Sequence, residues 1–299
     1  MTDTAEIAAL MRQFPALAAF GPPERMGGLT NRVYRIGDTV LRLPGHGTAA
    51  YIDRANEAAA AHAAALAGVS PEVLHADAAS GVMLTRFIAG AATMSPAAFK
   101  TRPGSPARAA QAFGRLHRSG AVFPARFELF AMIDSYLGLL SGRDVALPPG
   151  YHDVLAESQA VRAALSARPL PLAPCHCDPL CENFLDTGSR MWIVDWEYSG
   201  MNDPMWDLGD LSVEAGFDEI QEAEMMEAYF GHAPAPRDMG RMVIYKAMCD
   251  LLWTLWGLIQ LADGNPADDF RTYADTRFAR CKALMSRPEF ARHLAAITA

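Results

Sequence analysis

The chain has 299 residues, which suits one large domain or two lobes better than a single minimal core. Apolar residues make up 51% and charged residues 20%, the balance of a globular protein and not of a disordered one. The formal net charge is -8 and no basic tract of five or more residues occurs, which argues against a nucleic-acid partner and favours a cationic one.

Residues 5–20 read as a helix. The first residues carry acids and lack a basic start followed by an apolar run, so no signal peptide is expected and the cytoplasm is the default location. After Gly27-Gly28, the alternation Arg32-Val33-Tyr34-Arg35-Ile36, the Gly37-Asp38 turn and Thr39-Val40-Leu41-Arg42-Leu43 spell a hairpin. Residues 52–67 are Ala-rich and helical, ended by Gly68. Residues 73–75 and 82–87 read as two further strands. From Gly90 onward the pattern turns helical, over 107–119, 128–141, 152–167, 219–230 and 238–262. Between them a hairpin is expected over 183–196, turning at Asp186-Thr187-Gly188-Ser189. The Pro/Gly-rich stretches 102–106, 146–150 and 233–236 read as loops. The most apolar stretch, 251–262, is shorter than the ~20 residues of a membrane span and reads as a core helix, so no membrane partner is expected.

Five cysteines occur, an odd number, and Cys175, Cys177 and Cys181 lie too close together to suggest a disulfide framework. With His176 they offer four soft ligands, a possible zinc cluster, but no second Cys/His pair at zinc-site spacing accompanies them. A different chemistry overlaps the same segment. Phosphoryl transfer needs a carboxylate to take the proton of the attacking hydroxyl and oxygen ligands to hold magnesium. Asp178 and Asn183 are five residues apart on one loop, and the hairpin that follows ends at Asp195 and folds it back beside Asn183. His176 suits an ordering role in that loop.

The pattern H-x-D-x-x-x-x-N with a later strand-end Asp resembles the kinase catalytic loop and its magnesium ligand. The fuller text, HCDPLCENFL and then WIVDWEYSGMNDPMWDLGDL, is similar to the choline/ethanolamine kinase family within the aminoglycoside phosphotransferase and protein-kinase-like superfamily. The resemblance runs from about residue 25 to 280 and is poorest over 91–170. It implies an α+β, two-lobed protein-kinase-like fold. Residues 1–89 would form a nucleotide-binding lobe of antiparallel sheet plus helix, and 90–299 a mostly helical catalytic and acceptor lobe. It implies an ATP-dependent phosphotransferase with Asp178 as base, Mg2+ on Asn183 and Asp195, and Asp207 bracing the catalytic loop. Gly28, Thr30 and Asn31 would bring backbone N–H groups to the phosphates. Arg42 would contact the phosphates, oriented by Glu57, although a lone Glu on an Ala-rich helix ordinarily faces solvent. The segment 84–88 resembles the hinge that receives adenine.

Trp253 and Trp256 fall on one helix face, where core packing is the ordinary outcome. The segment resembles the choline kinase helix whose two tryptophans and a later Tyr, here Tyr273, box a quaternary ammonium. Such rings attract a cation by about 0.5–2 kcal/mol each, with Glu214 adding charge. The resemblance thus implies ATP plus a small cationic alcohol: choline, or else ethanolamine, thiamine or an aminoglycoside. A non-catalytic nucleotide- or cation-binding module is the alternative class, disfavoured by the intact Asp178, Asn183 and Asp195. Oligomeric state is not legible.

Overall fold

Alternation builds the first sheet, as the hairpin pattern predicts. A computed structural model of the chain describes residues 3–27, 31–45 and 52–299. The chain opens with α1 (Asp3–Gln13), β1 (Glu24–Gly27), β2 (Arg32–Ile36), β3 (Thr39–Leu43), α2 (Arg54–Leu66), β4 (Val73–Ala76) and β5 (Met83–Arg86). The five strands form one antiparallel sheet in the order β1-β2-β3-β5-β4. Because successive side chains point to opposite faces, Tyr34, Ile36, Leu41, Leu43 and Leu84 bury together with Ile7 of α1. Val33, Val40, Arg42, Met83 and Thr85 turn to the other face and line a cleft.

The helix expected over 5–20 ends at Gln13 instead, and Pro15 starts a separate 3-10 turn, Pro15–Phe20. A proline there lacks the N–H the helix needs and clashes with the preceding turn. In α2 the N-cap is Asp53, whose Oδ1 accepts from the N–H groups of Ala55 and Asn56 at 2.9 and 3.1 Å. Asn56, Glu57, Ala60, Ala61 and Ala64 form its buried face. Glu57 is 1% exposed and does not face solvent.

The remainder is β6 (Ala92–Thr93), α3 (Pro96–Thr101), α4 (Ser105–His117), α5 (Leu129–Leu140), α6 (Tyr151–Ala167) and β7 (Ala173–Cys175), then β8 (Phe184–Asp186), β9 (Met191–Ile193) and β10 (Gly200–Asn202), and finally α7 (Met205–Ala215), α8 (Glu219–Phe230), α9 (Pro236–Ala262), α10 (Phe270–Met285) and α11 (Pro288–Thr298). The expected hairpin is β8–β9, with Phe184 opposite Ile193, and β6 adds a third strand. β7 pairs with β10. Helix α9 is long and apolar enough to cross a membrane by composition, but 83% of that stretch is buried inside the fold, where α5, α7, α10 and α11 pack on it. Helix α7 crosses α9 at Gly209, where a Cβ would lie 2.6 Å from the Met242 carbonyl oxygen, so only glycine permits this approach.

Candidate active site

The loop between β7 and β8 is held from below by one buried carboxylate. Asp207, in the first turn of α7, accepts the N–H of His176 on Oδ2 and that of Cys177 on Oδ1, both at 2.8 Å. His117 of α4 meets Oδ2 at 2.9 Å, and its other ring nitrogen reaches the Tyr229 hydroxyl at 2.9 Å. Within the loop, Nε2 of His176 donates to the Val194 carbonyl at 2.9 Å, and Nδ1 accepts the Asp178 N–H at 3.3 Å. Burial lowers the His176 pKa, which keeps the ring neutral, the state this bonding requires. Cys177 is thereby held at φ 69°, a left-handed conformation that costs a non-glycine residue free energy and persists because its neighbours fix it. The four soft ligands do not form a metal centre. Both nitrogens of His176 are engaged, and among the described residues no metal-sized group of ligand atoms brings together more than one of Cys175, His176, Cys177 and Cys181.

The same loop and hairpin bring Asp178, Asn183 and Asp195 to one cleft of about 710 Å³, in the size range of small-molecule sites. Asn183 donates its amide N–H to the Asp178 carbonyl at 3.0 Å, and its own carbonyl accepts the Val194 N–H at 2.9 Å. That leaves the amide oxygen of Asn183 for the cleft. Asp195 also adopts a left-handed φ, 68°. Burial, then Asp195 and Glu214, push the Asp178 carboxyl well above the usual carboxylate range. Burial and Glu197 push Asp195 up to about 7 against the pull of Arg42. Two carboxylates with raised pKa values in one cleft are what a proton-accepting or cation-binding site presents.

Across the cleft, Arg42 is ion-paired to Glu57 and lies 3.5 Å from Asp195 and 3.3 Å from Glu197. Arg54 bridges Glu57 at 2.8 Å and Glu197 at 2.6 Å. Asn31 donates to Asp195 at 3.3 Å and to Glu197 at 3.0 Å, while its amide oxygen accepts the Gly45 N–H at 3.2 Å. Gly28 and Thr30 lie outside the described residues. The adenine-hinge segment runs along β5 into Phe87 and Ile88 at the cleft wall; its Arg86 and Phe87 N–H groups are engaged by the carbonyls of Glu72 and Asp38.

At the other end the sequence-predicted acceptor residues separate into two contacts. Trp256 lines the cleft and meets Tyr273 edge-on with ring centres 5.6 Å apart. Gly257 makes room for that ring, since a Cβ there would lie 2.6 Å from Tyr273 Cδ1. Trp253 is buried behind, donates its indole N–H to Asp210 at 3.2 Å, and packs edge-on against Tyr198, a cleft residue, at 5.2 Å. Glu214 is ion-paired to Arg277, whose guanidinium lies 4.6 Å from the Tyr273 ring centre.

Comparison with known proteins bears on this geometry directly. Residues 24–245 match the model of the phosphotransferase enzyme family. The chain belongs to that family. A choline/ethanolamine kinase family protein from Mesorhizobium loti is 70% identical, with 99% of each chain covered and a TM-score of 0.92. Choline kinase LicA from Streptococcus pneumoniae is 25% identical over 95% of this chain and 100% of its own, with a TM-score of 0.80. Protein LicA of Haemophilus influenzae is 26% identical over 264 residues, 83% of this chain and 76% of the relative. The chain is therefore a choline/ethanolamine kinase-like small-molecule phosphotransferase, and its fold is the two-lobed α+β one the sequence implied.

Several residues of this phosphotransferase site escape sequence reasoning. Arg54 stands three residues before Glu57, a spacing that pairs side chains on a helix, and was findable. Asp210 stands four before Glu214 on the same face. Glu197 is visible only as the residue after Trp196. His117 and Arg277 carry no local signal, because their partners lie 90 and 63 residues away.

Proposed function

We propose that this phosphotransferase transfers the γ-phosphate of ATP to the hydroxyl of choline or a related small amino alcohol. The observation that carries the reading is Asp178. It sits on a loop fixed by Asp207, at the cleft, with no basic side chain paired to it among the described residues. A carboxylate so placed, with a raised pKa, accepts the proton of an acceptor hydroxyl beside it. Arg42, oriented by Glu57, contacts the nucleotide phosphates, and the rings of Trp256 and Tyr198 border the acceptor, with Tyr273 packed edge-on against Trp256. The donor atoms around Asp195 fit a hard divalent cation. Asp195 and the amide of Asn183 both line the cleft and offer oxygens, the donor type such a cation takes. Asn183 and Asp195 would hold Mg2+, which when bound neutralises charge on the β- and γ-phosphates. Residues 1–89 would serve the nucleotide and 90–299 the acceptor, in the cytoplasm.

The test is ATP consumption with magnesium against choline, ethanolamine, thiamine and aminoglycosides. Asp178→Asn is expected to bind ATP normally and lose turnover by about 10²- to 10⁴-fold. Unchanged turnover would remove Asp178 as the base, and no turnover of the native protein with any acceptor would sink the kinase reading.

A further inference from the structure

A second arginine stands behind Arg42. Arg54 opens α2 and places Nη1 2.8 Å from Glu57 and 2.6 Å from Glu197. Arg42 shares both partners: it is ion-paired to Glu57 and lies 3.3 Å from Glu197. On Glu57 the two guanidiniums take different oxygens, Oε1 for Arg42 and Oε2 for Arg54, whereas on Glu197 both meet Oε1. The turn before β5 touches both side chains. The Gly81 carbonyl accepts from Nη2 of Arg42 at 3.3 Å, and a Cβ on Gly81 would lie 3.0 Å from Cδ and Nε of Arg54. A cation at a helix N-terminus opposes the helix dipole, so α2 itself gains nothing from an arginine there.

Arg42 and Glu197 line the cleft, and Arg54 is not among its lining residues. Arg54 therefore stands one layer behind a phosphate that meets Arg42, and what it does for the nucleotide it does through its neighbours. The formal charges say what that is. Arg42, Arg54, Glu57 and Glu197 close a neutral ring of two guanidiniums and two carboxylates, beside Asp195 at 3.5 Å from Arg42. Without Arg54, two carboxylates compete for one guanidinium. Arg42 is then drawn between them, and the Glu197 carboxylate faces a polyanionic nucleotide across the cleft with its charge uncompensated.

Resting on the reading that ATP is the phosphate donor, we propose that Arg54 is a positioning residue for the nucleotide: it neutralises Glu197 and shares Glu57, which leaves the Arg42 guanidinium held at the cleft and available to the phosphates.

The experiment is calorimetric titration with ATP and magnesium, without acceptor, of the native protein, Arg54→Met, Arg54→Lys and the double variant Arg54→Met/Glu197→Gln. Methionine keeps an apolar stem against Gly81 and removes the charge, so ATP binding is expected to weaken about 10- to 100-fold. Arg54 serves both carboxylates through one nitrogen and not as a fork, so the point charge of lysine is expected to recover most of that loss. The double variant removes the uncompensated carboxylate and is expected to bind ATP at least about fivefold more tightly than Arg54→Met. A merely structural arginine would give neither rescue. Native-like ATP binding by Arg54→Met overturns the inference, and so does a double variant that binds no more tightly than the single one. A native protein that binds no ATP removes the donor reading, and the inference with it. Should Arg54→Met not fold in urea-unfolding controls, Arg54→Gln, polar but uncharged, carries the same expectations.

Discussion

Asp207→Asn isolates the brace under the catalytic loop. The carboxylate receives the N–H groups of His176 and Cys177 at 2.8 Å and the His117 ring at 2.9 Å, on two oxygens. Asparagine is nearly isosteric but keeps one acceptor oxygen and adds two N–H groups. At least one backbone N–H then faces another N–H. Losing one hydrogen bond to a charged acceptor costs about 1.5–3 kcal/mol, and the orphaned buried N–H adds about 1–3 kcal/mol. The sum, about 2.5–6 kcal/mol, spans the ~3–5 kcal/mol of breaking a buried ionic contact and is a large part of an ordinary domain's stability. Cys177, held at φ 69° by this anchor, is expected to relax and carry Asp178 with it. A displacement near 1 Å costs about 100-fold in rate. Urea unfolding should therefore show the stability loss, and steady-state kinetics a kcat about 100-fold lower. The ATP dissociation constant should change little, since the nucleotide face of β2, β3 and β5 is untouched. A folded variant with the stability loss but native kcat would refute the positioning argument.

Two further outcomes follow from other elements. Burial alone would raise the pKa of Asp186, but bonds from Arg108 and Arg102 and from the Gly188 N–H outweigh it and hold the group at about 2. The folded pKa lies below the ordinary carboxylate value, so the contribution is fully present above pH ~4 and is lost as pH falls toward ~2; it is worth about 2 kcal/mol. The stability difference between native protein and Arg108→Ala should shrink over that window in urea unfolding, and a constant difference would assign Arg108 to packing alone. Gly257→Ala would set a Cβ 2.6 Å from Tyr273 Cδ1 and push that ring off α9. About 1–3 kcal/mol of stability should be lost and the acceptor KM raised, with the ATP KM unchanged; a native acceptor KM would detach Tyr273 from acceptor binding.

The catalytic loop is legible in the sequence because its parts are local. Asp178 and Asn183 share eight consecutive residues with His176, and Asp195 returns after one hairpin whose turn is written in Asp186-Thr187-Gly188-Ser189. The five-stranded sheet is legible for the same reason, since period-2 alternation survives wherever one face is buried. Helix α7 is not. All of its residues except Glu214 are buried, so it has no polar stripe and no helical period to find. Strands β6, β7 and β10 have two or three residues each and no period at all. The break in the first helix was legible, since Pro15 stands at the point where it occurs.

The acceptor end is harder to read because its identity lies in charge pairing across distant helices. Local spacing puts Glu214 on a helix face; it cannot say that Arg277 will neutralise it, or that Asp250 will hold Arg277 and Arg280 together. With those pairs in place, the two carboxylates Glu214 and Asp250 meet the two guanidiniums of Arg277 and Arg280. Asp210, on the same helix as Glu214, keeps one carboxyl oxygen without a hydrogen-bond partner. An aminoglycoside, with several ammonium groups, would need more free carboxylates than α7, α9 and α10 present here, and each surplus cation would enter a dry site unpaired. Under the proposed reading, the ion pairs that hide Glu214 therefore also work against a polycationic acceptor.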